Sequence, residues 1–111
     1  MRSVKIFGLS TCDTCRKARK TLESEGFNLE FQDVRQHPLT SDKLSRFLIF
    51  FGTQLVNTRS TTWRGLGESE RQLPEIELLT LHPTLMKRPV IQSDLGLTLG
   101  WNDDVRATHL G

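Results

Sequence analysis

Ser3–Glu25, SVKIFGLSTCDTCRKARKTLESE, decides how the rest of the chain reads. Val4, Ile6, Phe7 and Leu9 give its first part the apolar content of a short buried strand, which runs straight into Cys12-Asp13-Thr14-Cys15. From Asp13 to about Glu25 the period becomes helical, with Cys15, Ala18 and Leu22 on one face. Arg16, Lys17, Arg19, Lys20 and Glu23 fall mainly on the others. Gly26 supplies a C-terminal stop. Leu29-Glu30-Phe31-Gln32-Asp33-Val34 then begins with strand-like alternation. The chain therefore opens β-α-β, with both of its cysteines at the first strand-to-helix junction.

Downstream, His37-Pro38 breaks the pattern. Thr40 and Ser41 are cap candidates for a second helix, Ser41 to Phe51, with Asp42 in its first turn and Gly52 at its end. Leu44, Phe47, Leu48 and Phe51 form its apolar face, and Ile49 and Phe50 are expected to broaden it. Residues 52–67 read as a polar connection carrying Asn57, Arg59, Trp63 and Arg64. A third helix is expected over about Glu68 to Leu81, kinked or restarted at Pro74. Pro83 starts a short turn, and Lys87-Arg88-Pro89-Val90-Ile91 reads as a loop entering a strand. Asp94-Leu95-Gly96 turns that strand into a hairpin partner ending at Gly100, and the polar tail after Trp101 adds at most a short helix. This order matches the thioredoxin topology: an α/β fold with a mixed four-stranded sheet, flanking helices and a helical insertion over about 40–86.

The 111 residues suit one domain, and the 36% hydrophobic and 25% charged fractions are those of an ordinary globular chain. A net charge of +2, mixed along the sequence, is too little to argue for nucleic acid or a membrane as partner, and neither is expected. The opening MRSVKIFGLSTC is interrupted by Lys5 and Gly8, too early for the apolar core of a secretory signal. No apolar run approaches the ~18 residues that a membrane span needs. Two cysteines so close together make no disulfide framework of the secreted kind. The expectation is a cytoplasmic monomer, in which paired thiols are more often catalytic or sensing than structural.

Between strand and helix, Cys12 lies at the helix N-terminus and Cys15 one turn inside. Unpaired backbone N–H groups and the helix dipole there favour a thiolate at Cys12, lowering its pKa toward the roughly 3.5–7.5 range of reactive thiols. Arg16 assists and Asp13 opposes. Cys15 shares the apolar face of Ala18 and Leu22, so it is the more sheltered of the two. An exposed attacking thiol and a sheltered resolving thiol are what dithiol exchange needs. Two other readings stay open. A metal site would need ligands that a single Cys-x-x-Cys and the scattered His37, His82 and His109 do not supply, so no metal is expected. Two cysteines kept only for packing are the other alternative.

Loop arginines are usually solvated charges. Arg59 and Arg88 stand out because, in a thioredoxin topology, the loop before the third strand carries a proline, often cis, packed beside the cysteine pair. Pro89 holds that place and Arg88 precedes it directly, where a guanidinium can hold an anion or an acidic thiol beside Cys12. Trp63 and Trp101 read as packing residues, and the three histidines as surface or loop residues.

Taken together, TCDTCRKARKTLE after a strand, the central NTRSTTWR and the later LMKRPVI resemble the bacterial arsenate reductase-like (ArsC/Spx) family over nearly the whole chain. TTWR and the short length look closest to a small thiol-reductase branch of it. The resemblance implies a thioredoxin-like fold and a catalytic Cys12, with Cys15 as its internal partner. It assigns Arg16, Arg59 and Arg88 to a small oxyanion or thiol substrate, and Pro89 to the site's structure. No bound cofactor is implied; glutathione is the expected co-substrate, delivered directly or through a glutaredoxin-like thiol donor. In the Spx-type regulators the matching cysteine pair is a redox switch on a protein that binds RNA polymerase, which gives the alternative reading. Two departures separate this chain from arsenate reductases. Gly100-Trp101-Asn102, followed by Asp103 and Asp104, replaces a Gly-Arg-Pro segment, and Cys15 replaces a serine. Both favour thiol chemistry over arsenate.

Overall fold

The elements of the chain are β1 (Ser3–Gly8), α1 (Asp13–Ser24), β2 (Asn28–Asp33), α2 (Ser41–Phe51), a 3-10 turn (Gly52–Leu55), α3 (Thr61–Arg64), α4 (Glu68–Arg71), α5 (Glu75–Leu81), a second 3-10 turn (Pro83–Leu85), β3 (Val90–Ser93), β4 (Gly96–Leu99) and α6 (Asp103–Leu110). They are seen in a computed structural model that describes residues 2–111. Two compact units emerge, one of residues 1–33 and 88–111, the other of residues 34–87. The fold is the thioredoxin-like α/β arrangement with a mixed four-stranded sheet, in the order β2-β1-β3-β4.

In the first unit β1 pairs parallel with β2, Val4 opposite Leu29 and Ile6 opposite Phe31. It pairs antiparallel with β3, Ile6 opposite Ile91, and β3 returns as a hairpin with β4. The parallel pair needs a crossover, and α1 provides it. Side chains of a strand alternate between its faces, so Val4 and Ile6 point the same way. They join Ile91, Ala18 and Leu22 of α1, Phe27 and Val105 of α6 in one buried cluster, with Trp101 packed at its edge. The helix stops as its sequence predicts. Gly26 takes φ +84°, its N–H reaches the Glu23 carbonyl, and the Phe27 N–H reaches back to Leu22. The last two residues are also both in the core, the apolar clasp that accompanies this type of helix end.

The second unit is helical. Thr40 caps α2, its hydroxyl accepting the Lys43 N–H at 3.2 Å, and Gly52 ends it at φ +65°. Leu44 and Phe47 are buried, as are Leu78 and Leu79 of α5. Ile49 and Phe50, expected to broaden the buried face, are instead 86% and 63% exposed. With about 3.6 residues per turn, positions 44, 47, 48 and 51 share a face and 49 and 50 are carried round to the other side. The connection after Gly52 is less irregular than its polarity implies. Ser60 caps the short α3, accepting the Trp63 N–H at 3.1 Å, and the Thr62 and Thr84 hydroxyls meet at 3.0 Å. Pro74 divides the expected third helix into α4 and α5, as a residue without an amide hydrogen should. Among the described residues no helix is long and apolar enough to cross a membrane.

The tail brings the largest departure. After Trp101 the chain forms α6, with the Asn102 side chain accepting the Val105 N–H at 2.9 Å. Asp103 and Asp104 lie in its first turn, where the helix dipole favours negative charge. His109, read from sequence as a surface or loop residue, is fully buried. Its Nδ1 lies 2.6 Å from the Ser93 hydroxyl and its Nε2 2.7 Å from the Thr98 hydroxyl, so both ring nitrogens are satisfied between β3, β4 and α6. The Leu95 N–H also donates to the Ser93 oxygen, and the Thr98 hydroxyl is directed at the Ile91 carbonyl at 3.5 Å. This arrangement suits a neutral ring with hydrogen on Nε2, Ser93 donating to Nδ1 and Thr98 accepting from Nε2.

Burial accordingly lowers the His109 pKa below its ordinary 6.5. The unfolded chain then takes up a proton near that value before the folded chain does. Stability from this group is complete above pH 6.5 and is lost as pH falls from there through the folded pKa. The slope approaches about 1.4 kcal/mol per pH unit where only the unfolded state is protonated. Urea unfolding at pH 7.5 and 5.5 should show a larger acid loss for the wild type than for His109→Gln. Equal losses would remove His109 from the account.

Candidate active site

Cys12 sits at the N-cap of α1 in extended backbone, its carbonyl already accepting the Arg16 N–H at 3.0 Å. It is partly exposed, whereas Cys15 is fully buried, and both are free thiols. The helical phase explains the difference: Cys15 shares the face of Ala18 and Leu22, which docks on the sheet, while Cys12 stays at the mouth of the loop.

The loop is held at both ends. The Asp33 carboxylate, at the end of β2, accepts the Ser10 N–H and hydroxyl, both at 2.9 Å. The Ser10 carbonyl in turn accepts the Arg16 Nε–H at 3.0 Å, and Arg16 also lies 3.6 Å from Asp13. Arg16, singled out as an anion-binding residue, is thus turned toward the loop backbone and Asp13. The Cys12 N–H completes the loop by donating to the Leu9 carbonyl at 3.1 Å. Asp33 and Ser10 were not legible as site residues, because their partnership joins positions 23 apart in sequence.

The two sulfurs differ electrostatically. Burial pushes the Cys12 thiol up, but other groups outweigh it and leave the pKa below the ordinary 9.0. These are the Cys15 N–H directed at the sulfur, the Cys15 thiol as donor, and the Arg88 guanidinium as donor and charge. The Cys15 N–H points at Cys12 as at a helix cap without closing a cap bond of regular geometry. Cys15 moves the opposite way, to about 12. Burial is the main cause, and the neighbouring Cys12 sulfur adds to it, while the Leu9 backbone and Arg88 work against it. The two pKa values are therefore pushed apart: the proton is held more tightly on Cys15, and Cys12, which accepts a hydrogen bond from Cys15, is the sulfur that gives up its proton first.

Arg88 comes to this site from the far end of the sequence, on the loop into β3, and the Arg88–Pro89 peptide is cis. Pro89 is buried, and its carbonyl accepts the Gly100 N–H at 2.8 Å, tying the loop to the end of the hairpin. The structure thus brings Cys12, Cys15 and Arg88 together, with Pro89 beside Arg88 in sequence. Arg59 belongs to the second unit, exposed in the turn before α3, where its N–H donates to the Asn57 side chain at 3.1 Å. Among the described residues no group of three or more His, Cys, Asp or Glu side chains is placed to hold a metal ion.

One residue of the site escaped sequence reading although a signal was present. Gly8 ends β1 directly beneath Cys15, and a glycine inside an apolar strand marks a close approach by another group.

Comparison with known proteins covers nearly the whole chain. The global transcriptional regulator Spx of Listeria innocua is 31% identical over 107 residues, covering 91% of this chain and 82% of its own. A solved structure of the YFFB protein superposes with a TM-score of 0.86 at 30% identity, covering 97% of this chain and 99% of its own. An arsenate reductase-related protein of Brucella melitensis is 36% identical, with a TM-score of 0.73 and coverage of 95% and 92%. The ArsC family model matches residues 7–108, which takes in the end of β1, both cysteines, Arg88-Pro89 and most of α6, and the chain belongs to the ArsC family.

Proposed function

We propose that the protein is a thiol-dependent reductase in which Cys12 is the nucleophile and Cys15 the resolving thiol. The observation that carries this reading is the placement of the pair: Cys12 partly exposed at the N-cap of α1 with Arg88 lowering its pKa, Cys15 buried behind it with its pKa raised. A thiolate attacks and a thiol does not, so Cys12, whose pKa is lowered, is the readier nucleophile of the two.

With a disulfide R–S–S–R′ as substrate, the Cys12 thiolate attacks one sulfur. The S–S bond breaks, R′–S⁻ leaves and takes a proton from water, and R stays bound as a mixed disulfide. The negative charge on Cys12 is then gone, and with it one of the causes that hold the Cys15 proton. Cys15 gives its proton to water and attacks the Cys12 sulfur; the Cys12–S–R bond breaks as the Cys12–Cys15 bond forms, and R–S⁻ leaves and is protonated in turn. Two electrons have passed to the substrate, leaving a Cys12–Cys15 disulfide. Two equivalents of an external thiol return the pair to the reduced state, and glutathione or a glutaredoxin-like donor is the class expected.

A disulfide is favoured over arsenate as the substrate. Where arsenate reductases carry an additional arginine, this chain has Trp101 at the edge of the core and Asn102, Asp103 and Asp104 starting α6. Arg88, and Arg59 by resemblance, remain for binding an anionic group such as a glutathione carboxylate.

The test couples the protein to NADPH through glutathione and glutathione reductase, with a glutathione mixed disulfide or arsenate as substrate. Cys12-dependent NADPH consumption with the disulfide is expected, with little or none for arsenate. No Cys12-dependent consumption with either substrate would overturn the reading. The similarity to the Listeria regulator favours a second one, a redox-responsive regulator with RNA polymerase as partner. Polymerase capture that depends on the Cys12–Cys15 state, without thiol turnover, would select it.

A further inference from the structure

We infer that Gly8 is a positioning residue for the cysteine pair: its missing side chain makes the berth that holds the Cys15 sulfur behind Cys12. The inference rests on the reading of Cys12 and Cys15 as a thiolate and its hydrogen-bond donor.

The geometry starts from strand alternation. Val4 and Ile6 point toward α1, and position 8, two residues further on, points the same way. Helix α1 lays Cys15, Ala18 and Leu22 on that side, so its first turn crosses over position 8. A methyl group built on Gly8 would collide with the Cys15 sulfur. The same methyl would stand 3.5 Å from the Cys15 Cβ and 3.6 Å from the Phe31 ring, both ordinary contacts. The sulfur alone is excluded.

Backbone conformation does not call for this glycine. Those with left-handed φ are Gly26, Gly52, Gly96, Gly100 and Gly111, and Gly8 is not among them. A glycine inside a strand also forgoes packing and ordering that any larger residue would supply. Space for one sulfur is what remains to account for it. Because Cys15 is 0% exposed, its sulfur has no solvent side to move into if that space is filled. An alanine at position 8 therefore has to turn the sulfur out of its rotamer or lift the first turn of α1. Either change disturbs the donor that faces Cys12.

A double-mutant cycle tests this in the full-length protein, with Gly8→Ala, Cys15→Ala and the two combined. Two quantities are read: the pH midpoint of iodoacetamide alkylation at Cys12, by site-resolved mass spectrometry, and the thermal unfolding midpoint. Gly8→Ala should raise the alkylation midpoint by about one pH unit when Cys15 is present, and by less than ~0.3 when it is absent. It should lower the melting point when Cys15 is present. In the Cys15→Ala background it should leave the melting point unchanged or raise it, because the new methyl takes the sulfur's place. A general effect on the strand would act alike in both backgrounds, and equal shifts overturn the inference. So does an unchanged alkylation midpoint for Gly8→Ala alone. If Gly8→Ala does not fold, a folded double variant supports the berth and an unfolded one overturns it. A wild-type alkylation midpoint at the ordinary thiol value would refute the thiolate reading, and the melting points would still decide whether Gly8 makes room for the sulfur.

Discussion

Cys12→Ser should reduce turnover of a glutathione mixed disulfide by at least ~10³-fold while leaving the fold intact. The expectation has two parts, which rest on different physics. The chemical part is that a serine hydroxyl stays protonated at neutral pH, so the Arg88 and Cys15 contacts that favour an anion at this position have no thiolate to act on. The structural part is that position 12 is the N-cap of α1, where serine is among the preferred residues. The substitution removes no buried apolar group and opens no cavity, because Cys12 is only partly buried. The melting point should therefore stay close to that of the wild type, with any decrease coming from the lost contacts of the thiolate with Arg88 and Cys15. Steady-state rates on matched, folded samples check both parts at once. A variant that keeps more than about a tenth of wild-type turnover would mean that Cys12 is not the nucleophile, given the size of loss that removing one causes.

Arg88→Met should slow alkylation of Cys12 at pH 7 by about 10- to 100-fold and move the pH profile upward. The magnitude follows from a charge-assisted hydrogen bond worth about 1.5–3 kcal/mol, in which ~1.4 kcal/mol is one pH unit. The sign is fixed by the charges. Arg88 stabilises the ionised sulfur as donor and as cation, so its removal raises the Cys12 pKa and depletes the thiolate at neutral pH. Methionine keeps much of the apolar stem and limits the packing loss. Measured above the shifted midpoint, the variant should regain the wild-type rate, because only the thiolate population has changed. Arg88→Lys should recover part of the pH 7 rate through its charge and lose the part that depends on guanidinium geometry. A rate that stays low at high pH would instead indicate a distorted loop and would reject this role for Arg88.

Much of the first unit was legible because its signals are local. The change from strand to helical period around Cys12 needs only neighbours three or four residues away, as does the stop at Gly26. The hairpin turn at Asp94-Leu95-Gly96 was readable for the same reason. The shelter of Cys15 followed from helical phase alone. In the second unit the Thr40 cap and the Gly52 stop were equally local. Ile49 and Phe50 show where composition misleads: five consecutive apolar residues look buried, and the helical period exposes two of them. His109 shows the converse, a polar residue in a polar tail that is buried because Ser93 and Thr98 happen to meet its two nitrogens.

By itself, then, the sequence determined the β-α-β start, the cysteine pair at its junction, and which of the two thiols would be sheltered. Periodicity and capping act over a single turn or a single strand, and they are written in adjacent letters. The tertiary structure decided which way each thiol's pKa is moved and how the pair is held. Asp33 anchoring Ser10, Arg88 arriving from β3, and Gly8 opening space beneath Cys15 are contacts between elements. Charge stabilisation and steric exclusion depend on distance in space, and that distance is set only when the sheet closes the gap between positions far apart in the chain.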